Sequence, residues 1–149
     1  MYKRQVFACF IFVLVIGLTS CIFVQLSPKH QAKETIDLFY SFEQEGRFND
    51  SWELFHSQMK DRFGKGHYIQ DRAHVFMNHF GVSTFTYELS GADKVNNWKM
   101  EEESKVMDTA YKVIVTQTFK GKYGNFSIVQ DVYATKEDGD WKILWNYKK

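Results

Sequence analysis

Cysteine is nearly absent from this chain of 149 residues. Its two cysteines, Cys9 and Cys21, both fall within the first 25 positions. Residues 26–149 therefore hold no disulfide, no thiolate nucleophile and no cysteine-based zinc site. Proline is scarcer still: Pro28 stands alone, which excludes a proline-rich linker. An excess of one charge is missing too. Lys plus Arg number 19 against 18 Asp plus Glu, a net of +1, and this argues against a basic nucleic-acid binder or an acidic tail protein. There is no internal repeat, no low-complexity tract, no phosphate-binding glycine loop and no Gly-x-Ser-x-Gly nucleophile context.

What is present is a core. Hydrophobic residues make up 44% of the chain and aromatics 17%, enough for one folded domain rather than a disordered chain. Ser27-Pro28 places a cap and an early helical proline before an apolar stripe of Ala32, Ile36, Phe39 and Tyr40, which predicts a helix over residues 29–45 stopped by Gly46. Asp50 and Glu53 resemble a capping pair at the start of a second helix carrying Trp52, Phe55, Met59 and Phe63 on one face. A third helix, over residues 67–80, carries Ile69, Ala73, Phe76, Met77 and Phe80.

After Gly81 the period falls to two. Phe85, Tyr87 and Leu89 alternate with polar residues, as do Trp98 and Met100, then residues 110–119, 126–135 and 141–147, with turns at 120–125 and 137–140. Three helices followed by about five strands imply an α+β fold with the helices on one face of an antiparallel sheet.

The first 25 residues read differently. Lys3 and Arg4 precede an uncharged run that leads to Leu18-Thr19-Ser20-Cys21. A basic start, an apolar stretch and small residues before a cut site describe an export signal. Leu18 to Cys21 resembles a bacterial lipobox, and the resemblance implies that Cys21 receives a lipid and becomes the first mature residue. The alternative is an uncleaved anchor, because the run stays uncharged from Val6 to Val24, close to the ~20 residues that span a bilayer. Either way the expectation is a segment 1–25 serving as export signal or membrane anchor, and a single domain, 26–149, facing away from the cytoplasm.

Two stretches carry a wider resemblance. Phe42 to Trp52 is similar to the acidic-Gly-aromatic entry into a Trp-containing helix of the nuclear-transport-factor-2-like, or cystatin-like, superfamily, and Gly139-Asp140-Trp141-Lys142-Ile143 resembles its closing strand. The likeness covers residues ~30–147 and includes exported domains that precede penicillin-binding transpeptidase modules. It implies a cone in which about three helices pack on a strongly curved sheet of about five strands. It does not settle function, since the fold hosts enzymes, binding modules and assembly subunits alike.

Enzymes of that superfamily place a carboxylate inside the cone as general base. The strand register of this chain puts only Gln117 and Gln130 among the inward apolar residues, and neither is a base. Asp131 and Tyr133 are the alternative pair, on the opposite strand face, should the sheet face the other way; an isomerase, hydrolase or dehydratase would use them. The histidines lack metal-ligand spacing: His67 and His74 lie ~10 Å apart along a helix axis, and His74 and His79, five apart, point to different faces of an α-helix. No metal, other cofactor or nucleic acid is expected. On the last strand Trp145 and Tyr147 continue the aromatic face to the carboxyl terminus and are candidates for an interface. The expectation is a membrane-tethered binding or assembly module of the cell envelope, whose partner is a second copy or an envelope complex. The competing expectation is a superfamily enzyme or a small-ligand cone.

Overall fold

A computed structural model describes residues 27–79, 81–82 and 84–148. The export segment 1–25 with Cys21, and Phe80 of the third helix, lie outside the described residues. Among the described residues no helix is long and apolar enough to cross a membrane.

The fold is α+β, helices first and an antiparallel sheet of five strands after. Helix α1 spans Pro28–Gln44. Ser27 caps it, its hydroxyl accepting from His30 N at 3.2 Å, and Pro28 fills a first-turn position whose N–H would be unsatisfied anyway. The helix buries Ala32, Ile36, Phe39 and Tyr40 against the sheet. Gln44 Nε2 donates to Phe85 O at 2.7 Å, and Trp141 Nε1 donates to Gln31 Oε1 at 3.0 Å, so α1 is tied at both ends to the layer beneath.

The single helix expected after residue 49 is two. Helix α2 spans Phe48–Glu53 and α3 spans Ser57–Arg62. His56 is the reason for the break. Its backbone is extended and its side chain accepts from Gln58 N, making it the cap of α3. Between the helices, residues 54–56 run alongside the last strand: Ile143 N donates to Leu54 O at 2.9 Å and His56 N to Ile143 O at 3.0 Å. That parallel bridge covers the exposed edge of the sheet. Nor does Asp50 cap α2. The cap position is Arg47, and Asp50 sits in the first turn and pairs with the Arg47 guanidinium at 2.7 Å, an acidic residue where the helix dipole favours one.

Helix α4 spans Lys65–Ala73 and runs on as a π-helical turn, His74–His79. The change of winding overturns one expectation. His74 and His79 do not diverge, because π-helical hydrogen bonds step from i to i+5; their rings lie 4.7 Å apart.

Strands β1 (Phe85–Leu89) and β2 (Asp93–Trp98) both pair with the same edge of β3 (Met107–Gly121). They act as one strand interrupted by a bulge at 90–92, across which the register slips by one residue. Ser90 repairs the gap: its N–H donates to Ile114 O at 3.0 Å and its hydroxyl accepts from Ile114 N at 2.9 Å. β4 (Gly124–Glu137) pairs with β3 along its length, and β5 (Asp140–Trp145) pairs with β4. The β4–β5 turn places Asp138 and Gly139 at positive φ, the requirement of a two-residue hairpin loop. The strand expected around Trp98 and Met100 lies earlier, at 93–98.

One sheet face is the core. Tyr111, Val113, Val115, Phe119, Val132, Ala134 and Ile143 are buried on it with Phe39, Tyr40, Phe55 and Met59 from the helices. The opposite face is half closed. Asn97 takes a positive φ, a conformation Asn tolerates. Past it, Trp98 stacks on Tyr133 at 3.9 Å, beside the buried Leu144 that pairs with Tyr133.

Candidate functional site

The helix stripe that begins at Ala32 ends on a carboxylate. Glu43 follows Phe39 and Tyr40 at helical spacing and is buried with them. Two further helices close around it. Ser51 of α2 donates its hydroxyl to Glu43 Oε1 at 2.5 Å and Tyr68 of α4 donates to the same oxygen at 2.7 Å. Arg72, one turn beyond Tyr68, donates Nε to Oε2 at 2.6 Å and brings Nη2 onto it as well. Both guanidinium donors converge on the one oxygen Oε2, a charge-assisted contact stronger than a neutral hydrogen bond. Burial, with Glu43 close by, pushes the Tyr68 phenol well above its ordinary range. Four donors on one carboxylate occupy its acceptor sites. The arrangement holds three helices at a fixed angle; it does not leave a carboxylate presented to a substrate.

Beside this cluster stand the interior glutamines. Gln130 accepts from the Tyr40 hydroxyl at 3.3 Å, and burial pushes that phenol up. Gln117 is buried and pairs with Tyr87 across β1 and β3. Its Nε2, like Trp145 Nε1, is buried without a hydrogen-bond partner. Gln117 and Gln130 are diagonal neighbours on the inner face, and Trp145 lies one residue pair further along β4 and β5. Its ring packs edge-on against Phe39, Phe55 and Phe63. Tyr147 meets that group through Phe63, ring centroids 6.3 Å apart. Arg62 covers its ring at 3.8 Å, its N–H donates to Met100 O at 2.8 Å, and burial pushes its hydroxyl up to about 12.

Asp131 lies on the face away from the helices, 3.3 Å from Lys112 Nζ, and Tyr133 lies there under Trp98. A second polar cluster joins α3 to the β4–β5 turn. Ser57 donates its hydroxyl to Glu137 Oε1 at 2.5 Å and its N–H to Oε2 at 3.0 Å. His56 Nδ1 accepts from Gln58 N at 3.2 Å, so the imidazole proton sits on Nε2, 3.3 Å from Glu137 Oε1. Serine, histidine and a carboxylate are all present, but the hydroxyl is bound to the carboxylate and the accepting nitrogen is spent on a helix cap. A nucleophile needs the reverse order. A surface cleft of about 760 Å³, bounded in part by Lys105, Thr135 and Trp141, opens beside His56 and Glu137.

No known family model matches the sequence and no curated protein matches it. Among the described residues no group of three or more His, Cys, Asp or Glu is placed to hold a metal ion.

Proposed function

We propose that this chain is a binding or assembly module held at the outer face of a bacterial cytoplasmic membrane, through a lipid on Cys21 or through an uncleaved N-terminal helix. In this reading the domain is a nuclear-transport-factor-2-like cone with a strongly curved sheet. The bulge at 90–92 supports that part, since a bulge bends the strand that carries it.

The observation that carries the docking role is the open end of the outer sheet face. Where Trp98 no longer reaches, Ile114 is 39% and Val129 is 65% exposed, set among Thr116, Thr118 and Ser127. Ile114 and Val129 are diagonal neighbours there, through the pairs Ile114–Asp131 and Thr116–Val129, and it is adjoining apolar side chains, not scattered ones, that mark an interaction site. Trp145 and Tyr147, packed against Phe63, contribute less to such a surface than their position at the end of the chain implies. A small-ligand cone is the second reading, favoured by the unpartnered Gln117 Nε2 and Trp145 Nε1 in the core.

Two measurements test the proposal. Palmitate labelling in cells should mark the chain and vanish in Cys21→Ala; labelling that is absent, or unchanged in the variant, removes the lipid tether. A photo-crosslinker at Val129 should give a discrete adduct, with a second copy or an envelope protein, that one at Asp138 does not. If neither position crosslinks and the purified full chain is a monomer carrying a small molecule, the ligand cone replaces docking.

A further inference from the structure

Either membrane tether leaves little chain between the bilayer and the fold. Ser27, the cap of α1, comes six residues after Cys21 and three after Val24. Fully extended at ~3.6 Å per residue, those stretches reach ~22 Å and ~11 Å. A domain of this size is ~35 Å across. A tether so short turns the end of the domain that holds Pro28 toward the bilayer. The β3–β4 turn lies at the other end: Gly121 is ten residues along β3 from Tyr111, or ~33 Å.

The cleft of about 760 Å³ beside His56 opens at the Pro28 end, and Pro28 itself forms part of its wall. The helix-side face of the sheet runs on there past the first turn of α1. Lys94 pairs with Tyr111 and Lys136 with Trp141, so both lysines share the face of those rings. Lys136 Nζ stands 5.5 Å from the Trp141 ring centre, and Gln31 of α1 holds the indole N–H. Lys105 and Val106 border the same cleft, Val106 being 41% exposed. Among the described residues none of the three lysines is in an ion pair. Of the three acids lining the cleft, Glu137 is engaged on both oxygens by Ser57, which leaves three ammonium groups against the carboxylates of Asp108 and Asp138.

We propose that this cleft is turned to the bilayer and takes the headgroup of a phospholipid, its phosphate against Lys94, Lys105 and Lys136. Lysine lays its stem along apolar surface and carries its charge to the headgroup, and tryptophan and tyrosine rings sit well at headgroup level. The site rests on the membrane-tether reading. It lies on the helix side of the sheet, apart from the outer face proposed for docking.

The test uses the full chain, purified from membranes and reconstituted into vesicles of equal parts phosphatidylcholine and phosphatidylglycerol. A photo-crosslinker replaces Val106 in one sample and Tyr123, 87% exposed at the β3–β4 turn, in another. Flotation of the vesicles reports the tether. Irradiation should then add the mass of one phospholipid to the chain at Val106 and not at Tyr123. Lys94→Glu with Lys105→Glu should lower the Val106 adduct at least ~fivefold, the scale of one lysine at an anionic surface, whereas Lys94→Arg with Lys105→Arg should keep it. Far-UV circular dichroism reports whether the fold is retained, and Lys94→Gln with Lys105→Gln serves in place of a glutamate pair that loses it. A chain that does not float removes the tether and the headgroup site with it. A chain that floats overturns the site alone if Val106 gives no lipid adduct, if Tyr123 gives as much, or if the folded charge variant gives an adduct equal to that of the parent.

Discussion

Glu43 shows how one residue can be conspicuous in sequence and still be passed over. A carboxylate at the end of the Ala32–Tyr40 stripe breaks the apolar pattern on a helix face that must be buried, and that break was legible. Its partners were not. Ser51, Tyr68 and Arg72 come from two other helices, and only tertiary packing brings them to one point. The strand register offers only Gln117 and Gln130 in the interior, and the interior acid comes from α1 instead. The cluster also makes a firm energetic statement. Removing one partner of a buried ion pair strands the other and costs about 3–5 kcal/mol, whereas replacing both is far milder. Glu43→Gln should lower the urea-unfolding free energy by about 3 kcal/mol, and Glu43→Gln with Arg72→Met should recover part of that loss. A double variant as unstable as the sum of the two single changes would mean that the pair is not coupled.

Among the elements, strands were more legible than helices. Period-two alternation and the turns at 120–125 and 137–140 mark β3, β4 and β5 directly, because the pleat demands them. The break between α2 and α3 left little trace. Trp52, Phe55, Met59 and Phe63 keep a helical repeat across it, and histidine is not among the favoured cap residues. The π-helical turn is hidden for a similar reason, since nothing in His74–His79 departs from helical composition. What joins α3 to the β4–β5 hairpin is the His56–Ser57–Glu137 cluster, and it should respond to pH. Burial depresses the His56 pKa below its ordinary 6.5, with Glu137 pulling the other way without prevailing. Burial alone would raise Glu137, but the Ser57 hydroxyl and N–H, with His56 behind them, hold it below its ordinary 4.5. Above 6.5 neither group makes stability vary. As pH falls below that value the unfolded chain binds the histidine proton more readily than the folded one, and stability declines. Below 4.5 the carboxylate adds a second decline in the same direction. His56→Asn keeps a capping side chain and removes the titration. Urea midpoints measured from pH 7.5 to 5 should therefore fall for the wild type and stay flatter for the variant. Parallel curves would place the acid sensitivity elsewhere.

At the scale of the whole molecule, the helices and the sheet share one core, and Phe55 is where they meet. It is fully buried, and its ring centroid lies 5.1 Å from those of Phe39 on α1, Tyr68 on α4 and Trp145 on β5. Its backbone sits in the bridge that covers the β5 edge. A side chain that touches every layer leaves a cavity none of them can fill alone, because each neighbour is also held by another element: Phe39 by the α1 helix, Tyr68 by Glu43, Trp145 by the sheet ladder. Phe55→Ala should accordingly cost toward the upper end of the usual ~3–5 kcal/mol for loss of a buried phenylalanine. The more informative readout is cooperativity. Far-UV circular dichroism follows mainly the helices, and, once Trp52 of α2 is replaced by Phe in the reference protein and in the variant alike, tryptophan fluorescence follows Trp98, Trp141 and Trp145, which lie in the sheet. If the layers form one cooperative unit, both probes give the same urea midpoint in the reference protein, and both move together in Phe55→Ala. A helical signal lost before the fluorescence change would show that the helices detach as a separate unit, and that Phe55 anchors them to the sheet without making the two interdependent.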